Sequence, residues 1–85
     1  MEYTHYIFHP DKTECQAIFI ASCVETAALS EGMHPSDMYE RMQRVNLIEE
    51  YILPSYEVLH AESRQNVTRD ILNTLKIWEN KKYGK

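Results

Sequence analysis

The sequence predicts an all-α domain, a compact four-helix bundle-like arrangement with an extended N-terminal arm and a proline-kinked third helix. Three observations predict it. Apolar residues recur at three- and four-residue spacing through most of the chain. Tight-turn residues are scarce, with two Gly and three Pro among 85 residues. Between the periodic stretches lie the residue types that cap helices. A composition 44% hydrophobic and 26% charged belongs to a folded chain and not to a disordered tail. A chain of this length buries only about 60% of its unfolded surface, so it can build one modest core. We therefore expect an arm over residues 1–12, one helical domain over residues 13–82 and frayed residues 83–85.

Residues 1–10 carry Tyr3, Tyr6, Ile7 and Phe8 and stop at Pro10. They read as an extended arm whose aromatics pack over the first helix or over a neighbouring subunit. Thr13 and Gln16 have the spacing of a capping box, with Asp11 a rival start. The helix that follows is apolar over more than half its circumference through Phe19, Ile20, Cys23, Val24, Ala27 and Ala28, which makes it the central helix of the fold. Ile18 and Leu29 project instead from its wet side, beside Ser22 and Glu25, and mark a second contact. Gly32 supplies the left-handed stop.

Ser36, after Pro35, reads as the next N-cap, with Asp37 complementing the positive helix end. Met38, Met42 and Val45 then form one narrow buried stripe, and Asn46 ends the helix. Ile48, Ile52, Ser55 and Leu59 hold a further stripe across Pro54. That proline has no amide for the carbonyl of Glu50 and its ring crowds the turn, so a kink or two short helices are expected. Ser63 caps the last helix, whose regular apolar face is Val67, Ile71, Leu75 and Trp78. Its outer face carries Arg69, Asn73 and Lys76, and Lys81 and Lys82 complement its negative end.

The net charge of −4 argues against nucleic acid and membrane surfaces as partners, since both need a surplus of Lys and Arg. A basic or mixed-charge protein surface fits better. A helix-turn-helix reading of residues 38–59 fails on the same ground, because Glu49, Glu50 and Glu57 would face phosphates. Cys15 and Cys23 lie eight residues apart on one helix, roughly 12 Å, too far to pair with each other. Reduced thiols, the lack of a positively charged signal-peptide start and the lack of a membrane-length apolar run point to the cytoplasm. His5 and His9 are spaced for a metal, but Pro10 disfavours helix at His9 and no further ligands stand nearby, so no metal and no cofactor are expected.

The richest corner holds Tyr56, His60, Ser63 and Arg64. Tyr56 and His60 are helical neighbours, with Glu57 three residues before His60, and a proton relay can be drawn through them. A corner hydrogen-bonding role for His60 is the simpler reading, and no catalytic residue is assigned. Tyr56, His60, Ile18 and Leu29 are the expected partner-binding residues.

The run NLIEEYILPSYEVLH with the later VTRDI, residues 46–75, resembles a small bacterial domain-of-unknown-function family (number 3791). The likeness extends in layout from Cys15 to Leu75 and is sharpest at Tyr56, Leu59 and His60. Where members continue Leu-His with Thr this chain has Ala61, so no hydroxyl is carried over there. The resemblance implies a compact helical domain. It also implies a genomic neighbour similar to ADP-ribosyltransferases, and with it a toxin-antitoxin or modifier-partner arrangement. The expected function is a small non-enzymatic protein–protein interaction domain, an antitoxin-like or accessory partner of an ADP-ribosyltransferase-like protein encoded by an adjacent gene. Two rivals stand beside it: a small ligand-binding or enzymatic domain centred on Tyr56 and His60, and a homodimeric module.

Overall fold

A computed structural model describes residues 11–83, so the expected arm of residues 1–10 and the last two residues lie outside the described part. Among the described residues every regular element is helical: α1 (Lys12–Glu31), α2 (Pro35–Arg44), a π-turn (Ile48–Ile52), α3 (Tyr56–Leu59) and α4 (Arg64–Lys82). The all-α expectation holds. The third helix is broken into the π-turn and α3, as Pro54 requires.

Helix α1 starts one turn-half earlier than the Thr13 reading placed it. The Asp11 carboxylate accepts from the Glu14 amide at 2.9 Å, and the Glu14 carboxylate accepts from the Asp11 amide at 3.0 Å. Asp11-x-x-Glu14 and Thr13-x-x-Gln16 both satisfy the spacing, and the box with the stronger capping side chain and charged acceptors forms. At the other end Gly32 sits at φ 66° and the Met33 amide reaches back to the Ala28 carbonyl at 2.8 Å. That left-handed C-terminal motif is strained for any residue with a Cβ.

Helix α2 is capped by His34 and not by Ser36. The Ser36 amide donates to His34 Nδ1 at 3.1 Å, with Pro35 in the first helical position. Proline lacks the amide that this position leaves unpaired anyway, so it belongs inside the helix and moves the cap one residue upstream of itself. Asn46, at φ 55°, ends the segment as expected.

Beyond it the Leu53 amide bonds the Ile48 carbonyl, five residues back, at 2.9 Å, and the Ser55 amide bonds Tyr51 at 3.1 Å. The chain thus widens by one residue immediately before Pro54, which has no amide to continue the ladder. The widening keeps Ile48, Ile52 and Leu59 all buried.

Helix α4 begins at Ser63, whose hydroxyl accepts from the Asn66 amide at 3.2 Å. It packs on α1, as does α2. Between them Met38, Met42, Leu47, Ile52, Ile71 and Leu75 are fully buried, each contributing roughly 1.5–3 kcal/mol of burial. Trp78 closes the end of this core only half-buried, edge-on to Tyr51 at 6.1 Å.

A charged staple joins the three longer helices. The Arg41 guanidinium on α2 grips Glu79 on α4 with Nε at 2.7 Å and Nη2 at 3.0 Å, and its Nη1 lies 3.5 Å from Glu31 at the end of α1. Lys76 completes the chain of charges at 3.5 Å from Glu31. The hydrogen bond to Glu79 holds the already basic Arg41 higher still in pKa.

Candidate functional site

The corner foreseen at Tyr56 and His60 forms. Tyr56 opens α3, and four residues later the chain leaves that single turn at His60. Their rings therefore stack, at 4.4 Å between centroids and 6° between planes. Phe19 of α1 meets Tyr56 edge-on at 5.4 Å. His60 Nδ1 lies 2.8 Å from the Tyr56 carbonyl. A carbonyl only accepts, so Nδ1 is the donor, and Nε2 is the acceptor of the neutral ring.

The third member of the drawn relay is elsewhere. The Glu57 carboxylate turns to Lys12 Nζ at 3.2 Å. Tyr56 and His60 are brought together; Glu57 does not join them.

Beside His60, between α1 and the start of α4, a cleft of about 300 Å³ opens, lined among others by Ser22, Thr26, Arg64 and Thr68. Arg64 donates to the Ser22 hydroxyl, and Thr68 Oγ1 donates to Thr26 Oγ1 at 3.1 Å. Cys23 forms part of the floor, where burial pushes its thiol up to about 11 against the opposing pull of Arg64. A thiol so protonated at neutral pH is a poor nucleophile. Among the described residues no three His, Cys, Asp or Glu side chains gather as metal ligands, and His5 and His9 lie outside that part.

Ile18 and Leu29 are exposed, 53% and 82% respectively. They lie on one side of α1 but about 16 Å apart along its axis, so they do not make one patch. Between α1 and α2 lies what the sequence reading missed: an apolar groove of about 580 Å³ whose walls include Ala17, Ala21, Val24, Pro35, Tyr39 and Ile48. Among the described residues Glu25 is the only charged side chain in its lining. The signal was present in the small pair Ala17 and Ala21 at i, i+4, beside an apolar arc too wide for two helical neighbours to cover.

No helix among the described residues is long and apolar enough to cross a membrane. A family model described as Protein of unknown function (DUF3791) matches residues 18–78, well over half of the chain. No curated protein and no solved structure matches it.

Proposed function

This chain belongs to the DUF3791 family, and from the groove that its described residues leave uncovered we propose that it is a small non-enzymatic protein–protein interaction domain. The observation that carries the reading is the α1–α2 groove, a hollow of about 580 Å³ with almost wholly apolar walls that residues 11–83, the described part, leave open. A core this small has little apolar surface to spare, so leaving a concave share of it in water forfeits burial that a partner can recover.

The occupant is a segment of another protein carrying apolar side chains and Lys or Arg. Glu25 lies in the lining, and Glu14 stands on the same side of α1 by helical spacing. Tyr39, 47% exposed, has the size and rigidity of an interface anchor. Ile18 borders this side of α1 and extends the contact, while Leu29, about 16 Å further along the helix, is a separate second contact towards the Gly32 end.

The resemblance that singles out residues 46–75 supports the finer form of the proposal: an antitoxin-like or accessory partner, in the bacterial cytoplasm, of an ADP-ribosyltransferase-like protein from an adjacent gene. Co-expression with that gene product tests it. We expect a stoichiometric complex, weakened at least about tenfold by Tyr39→Ala and more by Ala21→Lys than by Ala21→Glu, because a basic partner repels the added lysine. Recovery of the chain alone and monomeric at all concentrations refutes the proposal. A homodimer sensitive to the same substitutions would instead make a second copy the occupant.

A second reading, a ligand-binding or enzymatic domain centred on Tyr56 and His60, draws support from the open cleft beside His60. Its side-chain inventory offers an aromatic stack and an imidazole nitrogen, with no activated nucleophile next to them among the described residues.

A further inference from the structure

We propose that the seam between α1 and α4 is a binding trough for a small phosphate-bearing molecule, with Arg64 at its centre. The inference is independent of the protein-partner reading, which concerns the opposite flank of α1; it gives a ligand class to the second reading and moves its centre from the Tyr56–His60 ring pair to Arg64.

Charge is distributed very unevenly along this chain. Residues 63–85 hold six of its nine cations but two of its thirteen carboxylates. Of those two, Glu79 is engaged by Arg41, and Asp70 lies 3.9 Å from Arg69. The cleft beside His60 adjoins a second hollow of about 490 Å³ lined in part by Arg64, Arg69 and Lys76, with no carboxylate in its lining among the described residues. Thr26, Arg64 and Thr68 line both. The two adjoin along these three residues and together make up the proposed trough, of the size that holds a small ligand.

Arg64 is the cation best placed to act. Among the described residues no carboxylate lies within ion-pair distance of it, and its one hydrogen bond is to the neutral Ser22 hydroxyl, which orients the guanidinium across the seam without neutralising it. Arg69 and Lys76 follow along the same wall, each already near a carboxylate, Asp70 at 3.9 Å and Glu31 at 3.5 Å, so they support Arg64 and do not replace it, and the hydroxyls of Thr26 and Thr68 add neutral donors. Planar guanidinium groups match the oxygens of phosphate in pairs, which favours that class over a single carboxylate. Glu62 is the one carboxylate lining the upper part, beside His60, and it directs the anion toward the lower hollow.

A small ligand fits better than a nucleic acid. Screening confines the positive field to about 8 Å at physiological salt, so a small anion feels the trough alone, whereas a polyanion also meets the acidic remainder of a chain with net charge −4.

Pyrophosphate titrated into ¹⁵N-labelled full-length protein at constant ionic strength tests this. We expect saturable shifts confined to Thr26, Arg64, Thr68, Arg69 and Lys76. Arg64→Gln should weaken binding at least about tenfold, with Arg69→Gln as an independent second variant. Lys82→Gln, whose ammonium donates to the Arg44 carbonyl at 2.6 Å away from the trough, should leave affinity unchanged. Non-saturating shifts at every cation, or affinity indifferent to both arginine variants, overturn the trough. Tighter binding of an oligonucleotide than of pyrophosphate overturns the small-ligand assignment. A larger loss from His60→Ala than from Arg64→Gln overturns the assignment to Arg64 and favours the ring pair.

Discussion

Breaking the Arg41 staple should cost this domain more than any other single charged contact among its described residues. The Arg41 and Glu79 side chains are 19% and 22% exposed, and they meet through two short parallel bonds at 2.7 and 3.0 Å. Exposed pairs are worth at most about 1 kcal/mol, while removing one partner of a fully buried pair costs about 3–5 kcal/mol. A fork this sheltered lies between, and we expect a coupling of about 1.5–2.5 kcal/mol between Arg41→Ala and Glu79→Gln in a double-mutant cycle. For a domain of this size each kcal/mol moves Tm by roughly 4–8 °C, so thermal and urea unfolding both have the sensitivity required. Arg41→Lys keeps the charge and loses the fork, and should recover less than half of the deficit. The same cycle on Lys12 and Glu57, whose side chains are 68% exposed at 3.2 Å, should show no coupling beyond error and should respond more to added salt. A coupling for Arg41 and Glu79 no larger than that of the Lys12 pair would refute the argument that sheltering and geometry, not proximity, set the strength.

Two further outcomes follow from local features. Burial raises the Cys23 thiol from 9.0 to about 11, so the folded state holds its proton over a pH window in which the unfolded chain has lost it. The Cys23 contribution should be constant below about pH 9 and fall by about 2–3 kcal/mol between pH 9 and 11; urea midpoints across that range, compared with those of Cys23→Ala, which should lack that component of the slope, check this. At Gly32, φ is 66° and an added Cβ would meet nothing within 4 Å, so Gly32→Ala measures backbone strain alone. It should cost roughly 1–2 kcal/mol, and an unchanged Tm would contradict the left-handed C-terminal motif.

Much of the fold was legible because its determinants are local. The run Val67, Ile71 and Leu75 buries one face of α4 at any position in a bundle, and Gly32, Asn46 and Ser63 end or begin helices by chemistry that acts within a few residues. Pro54 announced a break without announcing its form. The π-turn before it depends on keeping Ile48, Ile52 and Leu59 in one core, a requirement set by residues elsewhere in the chain. Asp11 and Thr13 offered overlapping boxes with the same spacing, and pattern alone could not rank them. The Tyr56 and His60 pair was visible as neighbours on one helical turn, yet Glu57 shares that turn and points to Lys12, because a flexible exposed carboxylate follows the nearest free cation.

By itself the sequence determined that this chain is helical, where most of its helices stop and which stripe of each is apolar, since hydrogen-bonding range and the 3.6-residue repeat confine those choices to near neighbours. Only the tertiary structure decided that Arg41 meets Glu79 across 38 residues of chain, that the described residues leave an apolar groove open between α1 and α2, and that Arg64, Arg69 and Lys76 line one hollow with Thr26 and Thr68. Those features depend on the relative placement of helices, which is fixed by how whole faces pack and not by the residues that any one face contains.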